Sequence, residues 1–415
     1  LTGPESTFAG HALWYYIAEV YGPEVIPNLL YMSKISRSVE SGFLFVLGQS
    51  LDGVIESAQK YYLAKYISDD GQRKLPESEA LKIRTKKTRT YQRISLSPDA
   101  EFVAFTSNEL GQYKVWLHNV QKRKTKKIMK GNFKLERIPD VSYPLLSWSP
   151  SSDILAVIYE KKGKVLLELY DMETKKWDKR ELVRVEKVLG FNFSNDGKRL
   201  VISAIKNSQS DLFVFNLLQN SMRQITNDIY DDLTPSFIPN SNKIIFASNR
   251  GSDSVRVDDD LSLMMENTDL FIYDYKEKPK TYKRLVSSQD YNEKQPYALN
   301  EKYFSFLSGE NGIINRYVGQ VDSTISHVDT TIHYRYFTKT TPVSNYKRNI
   351  LYQSMSVESR QFAEMIKYKG RYKFYIESFK DVNEEKVENT EYGNSVESKK
   401  KAAQRLLTEK GTQFA

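Results

Sequence analysis

The sequence predicts a mainly β protein, a β-propeller of about six blades that follows an N-terminal α-helical domain. Before residue 72 the apolar residues recur at helical spacing, whereas a four-strand unit repeats every ~40–50 residues from 73 to 379. The 28 Tyr and 20 Phe also favour strands. The 415 residues exceed the ~250–300 at which one core stops growing. We therefore divide the chain into a helical domain (1–72), a propeller (73–379) and a polar linker or tail (380–415).

The first domain shows an amphipathic helical pattern. Apolar residues recur there at intervals of three and four, as at Leu13, Ile17 and Val20. Gly22-Pro23 ends the first helix, and Pro23 suits the first turn of the second. A third helix is predicted to start at Ser38, and a fourth to run from Leu51 to Tyr66. The pattern thus predicts four helices.

A strand–turn–strand unit recurs through the second domain. Its first strand ends in a tight turn such as Ser97-Pro-Asp or Ser194-Asn-Asp-Gly, whose Pro, Asp and Gly suit a sharp reversal. A buried apolar strand follows, then a third strand with an Asp-Leu-Phe start, then a fourth. Four clear units start near Ile94, Leu146, Phe191 and Thr234. The strand near Glu79–Tyr91 is expected to close the ring by pairing with the last blade, which would remove an exposed sheet edge.

Two further units are degenerate. The unit from Gln295 lacks the Ser-Pro-Asp turn but keeps the apolar strand. The unit from Thr341 restores a proline, Pro342, at the expected interval, with Ile350-Leu-Tyr-Gln-Ser after it. Counting both gives about six blades.

The fourth unit carries an insertion, Gly251–Asn267, with three consecutive carboxylates at Asp258–Asp260. Long loops on a rigid scaffold are common binding sites. Consecutive carboxylates on an extended loop point in different directions, and this segment lacks EF-hand spacing. We interpret it as a solvated loop and assign no metal ligand.

The composition and motifs exclude several chemistries. The absence of cysteine excludes disulfides, Cys-ligated zinc, iron–sulfur clusters and a cysteine nucleophile. The string Gly48-Gln-Ser-Leu-Asp-Gly53 has the wrong spacing for a G-x-S-x-G elbow, and no phosphate-binding glycine loop is present. The longest apolar stretches, such as Gly42–Gly48, are too short to span a membrane. We assign no catalytic, cofactor-binding or metal-binding residue and expect no cofactor, so this chain is not predicted to be an enzyme by itself.

The net charge of +9 reflects 61 Lys and Arg against 52 Asp and Glu. Much of the excess lies in Lys82–Arg89 and Lys122–Lys127. Such patches suit a nucleic acid, or are simply solvated strand ends and turns. They match no nucleic-acid-binding motif, and acidic clusters dilute their field, so we predict no nucleic-acid partner.

The helical segments Phe8–Ile17, Val20–Leu30 and Leu47–Gly53 resemble the C-terminal helices of MA-clan (gluzincin-like) peptidase domains. In that family these helices follow a zinc helix with His-Glu-x-x-His. The four histidines here, at positions 11, 118, 327 and 333, do not form that motif. We interpret His11 as a helix-packing residue, and expect the metal-binding half of such a domain to lie upstream of Leu1, or to be absent or degenerate.

The repeats resemble the TolB-like (PD40-type) propeller repeat of bacterial cell-envelope proteins. Phe191–Thr226 is the best overall match and Asp231–Ser241 the best turn match. Proteins that combine both regions occur in bacteria with gliding motility and type IX secretion. The resemblance implies a non-catalytic protein-interaction scaffold, periplasmic and associated with an outer-membrane assembly. The alternative is the propeller portion of a zinc metallopeptidase whose catalytic helix lies upstream.

Overall fold

The structure is a computed structural model. It describes residues 4–71, 73–134, 140–255, 264–288, 291–328, 332–379, 387–391, 393–398 and 401. The chain divides into two compact units, Leu1–Arg73 and Lys74–Ala415, and each is described by itself.

The described part of the first unit, residues 4–71 and 73, forms four helices: α1 (Pro4–Tyr21), α2 (Val25–Ser36), α3 (Val39–Leu47) and α4 (Leu51–Asp70). The side-chain oxygens of Ser38 and Ser50 cap α3 and α4 by accepting hydrogen bonds from the third residue after each. Its core contains Ile17, Leu29, Phe43, Val54 and Ala58. The helices follow the sequence prediction, with α4 four residues longer than predicted and α2 starting after Pro23.

Two expectations for the first helix are wrong. The side chain of His11 is exposed and does not pack between helices. Val20, predicted on the apolar stripe, is 48% exposed, whereas Tyr16 is buried. The buried face of α1 therefore includes Ile17 and Leu13, as predicted, with Tyr16 in the core and Val20 outside it.

Within the described residues of the second unit, 23 strands form six antiparallel sheets, each in sequence order. Blade 1 comprises β1 (Thr90–Leu96), β2 (Phe102–Glu109), β3 (Gln112–Asn119) and β4 (Lys124–Gly131). Blade 2 comprises β5 (Leu145–Trp148), β6 (Ile154–Lys161), β7 (Lys164–Asp171) and β8 (Trp177–Glu181). Blade 3 comprises β9 (Lys187–Phe193), β10 (Arg199–Lys206), β11 (Gln209–Asn216) and β12 (Ser221–Gln224).

Blade 4 comprises β13 (Asp232–Phe237), β14 (Lys243–Arg250), β15 (Met264–Asp274) and β16 (Lys283–Val286). Blade 5 comprises β17 (Lys294–Ala298), β18 (Tyr303–Ser308), β19 (Asn315–Val328) and β20 (Ile332–Pro342). Blade 6 comprises three strands, β21 (Ile350–Ser356), β22 (Gln361–Tyr368) and β23 (Arg371–Ser378).

Six apolar clusters lie between consecutive blades, including one between blade 6 and blade 1. In that last cluster Phe105 of blade 1 packs against Phe374 of blade 6, with ring centroids 4.8 Å apart. Because each blade is buried against both neighbours, the six sheets form a closed ring. The predicted six-bladed propeller behind a helical segment is confirmed.

The segment that precedes β1 lies along the outer strand of blade 6. The amide of Leu81 donates to the carbonyl of Phe374 at 2.8 Å, and the Thr85 hydroxyl donates to the carbonyl of Tyr372 at 3.1 Å. The segment is not a regular strand, and Tyr91 belongs to β1. It nevertheless occupies the place that a fourth strand takes in the other blades, next to the last blade as predicted.

The predicted strand positions in blade 6 are wrong by one strand. The sequence suggested that Pro342 marks the first strand of the last unit, but Pro342 ends β20 of blade 5. Ile350–Ser356 is the first strand of blade 6. The cause is the β19–β20 hairpin, whose strands of 14 and 11 residues lengthen blade 5.

The turn serines act in the same way in three blades. The hydroxyl oxygens of Ser97, Ser149 and Ser194 accept hydrogen bonds from amides five residues later, at 2.9–3.0 Å. Each hydroxyl also donates to a nearby aspartate: Asp99, Asp153 or Asp196. These hydrogen bonds hold the turn between the first two strands, so the Ser-Pro-Asp repeat is structural.

Part of the predicted polar linker or tail contacts blade 5. Thr390 is buried, and its amide donates to the carbonyl of Asn311 at 3.0 Å. Within the ranges that the structure describes, no helix is long and apolar enough to cross a membrane.

Candidate functional site

The first strands of all six blades surround a central channel. One side chain from each of these strands lines a cavity of about 180 Å³. Each of these side chains lies two residues before the position that the turn serines Ser97, Ser149 and Ser194 occupy in their blades. We call these six residues the serine ring, because four are serine: Ser95, Ser147, Asn192, Ser236, Tyr297 and Ser354. All six side chains are polar and uncharged, and all except Tyr297 are small.

Two residues earlier in each strand, a second set lines an adjoining cavity of about 70 Å³. We call it the arginine ring: Arg93, Leu145, Gly190, Thr234, Gln295 and Tyr352. Asn192 and Tyr297 line both cavities, so the two cavities follow each other along the channel. Among these twelve positions, Arg93 is the one charged residue.

β-Bulges shape the arginine ring. The pairing of β1, β13 and β17 with the following strand shifts register near Arg93, Thr234 and Gln295. These three residues have φ of 51°, 47° and 51°, in the left-handed region that non-glycine residues rarely adopt. A bulge turns the strand locally and re-aims its side chains. The same strained position therefore recurs in three blades at the level of the smaller cavity.

Contacts between neighbouring blades use most of the polar groups of the serine ring. The Ser354 hydroxyl oxygen accepts from the amide of Leu96 at 3.0 Å, and the Ser95 carbonyl accepts from the Trp148 indole at 3.1 Å. The Asn192 amide donates to the carbonyl of Pro235 at 2.8 Å. These groups fix the channel wall, which is therefore a preorganised surface.

The residue at the Asp position of the Asp-Leu-Phe repeat, in the third strand of a blade, has a structural role. In blade 4, Asp269 accepts from the amide of Ser288 at 2.9 Å and pairs with Arg284 at 2.6 Å. In blade 5, Asn315 is the equivalent residue and accepts from the amide of Tyr346 at 2.8 Å. The Asp-Leu-Phe repeat thus holds the segment that links one blade to the next.

Blade 4 also contains a buried cation. Arg250 is fully buried, and its guanidinium contacts Asp232 at 2.6 Å and Asp228 at 3.2 Å. It also lies over the ring of Tyr282, 3.9 Å from the centroid. Carboxylate oxygens of Asp211, Asp228 and Asp232 lie within 4.8 Å of one another. Because Arg250 already neutralises two of them, we interpret the cluster as structural.

Two buried carboxyl groups have strongly raised pKa values. Burial, and next the neighbouring Asp232, raise the pKa of Asp211 to about 7. Burial raises the pKa of Glu293 to about 8, although the hydroxyls of Ser288 and Ser308 donate to it at 2.9 and 3.1 Å. Neither carboxyl group lines the two channel cavities.

The residues that the sequence singled out lie elsewhere. Ser50 is the N-cap of α4. Asp258–Asp260 lie outside the described residues. His118 is buried beside Thr125, with its Nδ1 2.8 Å from that hydroxyl, and burial lowers its pKa. The basic run 122–127 forms the exposed turn before β4 and the first half of that strand.

Sequence reasoning missed Arg93 and Arg250. Aligning the six units on the turn serine would have placed Arg93 in one column with Thr234 and Gln295, and so indicated a shared face. Arg250 gives no such signal, because its partners Asp228 and Asp232 lie 18 to 22 residues earlier in the chain.

No protein-family model matches the sequence, and no curated protein is similar to it. Solved structures with a similar fold include TolB from Acinetobacter baumannii, with 14% identity over 56% of this chain and 52% of that chain and a TM-score of 0.42. The chain thus spans about half the length of that TolB. A putative TolB from Agrobacterium tumefaciens has 13% identity over 71% of this chain and 91% of that chain, with a TM-score of 0.44.

The propeller domain of the Trilobed protease from Pyrococcus furiosus has 11% identity over 72% of this chain and 98% of that chain, with a TM-score of 0.44. At these identities the likeness concerns the propeller fold alone.

Proposed function

We propose that this chain is a protein-interaction scaffold of the bacterial cell envelope, and that its propeller binds a protein partner at the central channel. The observation that supports this most strongly is the channel itself. All six blades contribute to both rings, and hydrogen bonds between blades hold the serine ring in place. A rigid concave surface with a few polar groups is a common form of binding site.

Site-specific photocrosslinking in native cells, with the full chain, tests the proposal. A benzophenone amino acid replaces Val357, which is 42% exposed and lines the larger cavity. The matched control replaces Lys179, which is exposed on the fourth strand of blade 2. We expect a discrete adduct from position 357 and none from 179. Equal crosslinking at both positions, or no adduct at 357, would overturn the proposal.

We further propose a periplasmic location in association with an outer-membrane assembly, such as type IX secretion or gliding machinery. This rests on the resemblance of the repeats and of the helical segment to proteins of that kind. Cell fractionation tests it: we expect the chain to be released with the periplasm or to sediment with outer membranes. Co-fractionation with a cytoplasmic marker would contradict it.

The metallopeptidase alternative makes a different prediction. It requires zinc in the native full-length protein and peptide hydrolysis that chelation abolishes. His11 is the one histidine of the first unit and is exposed on α1. A stoichiometric zinc content together with chelator-sensitive hydrolysis would favour the peptidase over the scaffold.

A further inference from the structure

The arginine ring contains a cation with few partners. The guanidinium of Arg93 lies over the ring of Tyr352, 5.4 Å from the centroid. Its Nη2 donates to the Ser142 carbonyl at 3.5 Å, which is beyond the usual length of such a bond. Its Nε is buried and has no hydrogen-bond partner among the residues that the structure describes. Arg93 is partly exposed, and one of its five N–H donors has an acceptor within the described part of the chain.

A second buried polar atom in the same cavity also lacks a partner. The hydroxyl oxygen of Thr234, in blade 4, makes no hydrogen bond within the described part of the chain. Thr234 and Arg93 occupy the same ring position and line the same cavity of about 70 Å³. Leaving a buried donor unsatisfied costs about 1–3 kcal/mol. Two such donors at one cavity indicate a site that a ligand completes.

The charges around the cavity favour an anion. Of the described residues that line the two cavities, Arg93 and Glu358 are charged, and Glu358 lines the larger cavity alone. Asp140 lies in the same loop as Ser142, but it pairs with Lys187 at 3.0 Å. Burial raises the pKa of Tyr297 to about 12, so its hydroxyl remains neutral. The smaller cavity therefore carries one uncompensated positive charge.

The size of the cavity limits the ligand. The cavity volume of about 70 Å³ exceeds the ~30 Å³ that one molecule occupies in liquid water. It is far below the ~300 Å³ at which small-molecule pockets begin. It admits one small charged group. A single guanidinium matches a monoanionic carboxylate, because a phosphate dianion would keep an uncompensated negative charge.

We propose that the arginine ring binds one carboxylate group of an acidic peptide segment, with Arg93 as the charged donor and Thr234 as a second donor. The inference rests on the proposed function, since it names the chemistry of the partner that enters the channel. The carboxylate belongs either to a Glu or Asp side chain or to a peptide C-terminus. Both sources present the same group to Arg93.

Saturation-transfer NMR on small peptides, with the full chain at millimolar peptide, tests the site. The probes are acetyl-Gly-Glu-Gly-amide for a side-chain carboxylate and acetyl-Gly-Gly-Gly with a free C-terminus. The matched uncharged peptide is acetyl-Gly-Gln-Gly-amide, and inorganic phosphate is the competing anion. We expect at least one carboxylate peptide to bind, and the more strongly bound one identifies the source.

The variant Arg93→Met removes the guanidinium but keeps a long side chain. We expect it to weaken carboxylate binding by about tenfold or more, the loss expected for charge-assisted hydrogen bonds. The control is Arg180→Met on the fourth strand of blade 2, which changes the net charge equally and lies away from both cavities. It should leave binding unchanged.

Several results would overturn the carboxylate site: equal binding of the Gln peptide, no binding of either carboxylate peptide, phosphate binding more tightly than both, or equal losses of binding in the Arg93→Met and Arg180→Met variants.

A melting curve controls for misfolding, since Arg93→Met should melt no lower than wild type. Crosslinking from position 357 in the Arg93→Met protein separates the two proposals. An undiminished adduct there would refute the carboxylate site and leave the proposed function intact.

Discussion

Replacing Arg250 by methionine is expected to destabilise the propeller strongly. The substitution removes both ion pairs of a side chain that is completely buried, and leaves Asp228 and Asp232 in the interior without a counter-ion. Breaking a buried pair by removing one partner costs about 3–5 kcal/mol. Methionine retains part of the packing against Tyr282. Most of the loss is therefore electrostatic.

Urea unfolding followed by tryptophan fluorescence measures this effect. Trp14 is the one tryptophan of the first unit, so a Trp14→Phe background makes the signal report on the propeller. With a slope of about 3 kcal/mol per molar urea, a loss of 3–5 kcal/mol lowers the midpoint by roughly 1–1.7 M. The control is Lys164→Met, because the surface pair Lys164–Glu181 should contribute about 0–1 kcal/mol.

A second substitution identifies the cause of the loss. In the Arg250→Met background, Asp232→Asn removes one uncompensated charge and should restore part of the stability. Lowering the pH should act in the same direction, because burial already raises the pKa of Asp232 and removal of Arg250 raises it further. A midpoint change no larger than that of the Lys164 control, or a double variant weaker than the single one, would refute this reasoning.

Three further substitutions test other buried groups. The pKa of Asp211 rises from 3.8 to about 7 on folding, so this carboxyl group contributes stability below pH 4 that is lost as the pH rises through 7. Asp211→Asn should abolish this pH dependence of the free energy of unfolding, at little cost at pH 7, and urea midpoints measured from pH 4 to 8 will show it. The raised pKa of Glu293 should likewise make the wild-type protein lose stability between pH 4.5 and 8, and Glu293→Gln should remove that loss. A variant with the same pH profile as the wild type would refute this prediction. Gly319→Ala should lower the free energy of unfolding by about 1–3 kcal/mol, because a Cβ would lie 2.1 Å from the Phe304 ring. Gly10→Ala is the control, because its Cβ meets no atom within 4 Å.

The propeller was predictable because its repeat marks each blade with local chemistry. The hydroxyls of Ser97, Ser149 and Ser194 make the same turn hydrogen bonds, so the similar sequences of these three repeats correspond to the same turn geometry. Blade 6 shows the limit of this reasoning. Blade 6 lacks the Ser-Pro-Asp turn sequence. The long β19–β20 hairpin also lengthens the spacing between repeats by one strand, so the sequence prediction placed Pro342 in the wrong blade.

The channel was less predictable, because it exists only where six strands meet. Nothing in the local sequence around Arg93 shows that its side chain lies opposite Thr234, which is 141 residues away. The bulge at each of these positions also breaks simple alternation along the strand. A repeat alignment can group the six positions, but it does not show which polar atoms remain without partners.

Arg250, which is fully buried, and Arg93, which is partly exposed, show how counter-ions separate a structural arginine from a binding arginine. Arg250 has two carboxylate partners and four aromatic rings within 6 Å, so its removal should cost stability. Arg93 has one long hydrogen bond and one ring, so its removal should cost little stability and much binding. Folding alone gives no gain from a cation whose donors are unused, because its desolvation is not repaid within the chain. A lower melting temperature for Arg250→Met, and one no lower than wild type for Arg93→Met, are thus the direct consequence of assigning Arg250 to the fold and Arg93 to a ligand.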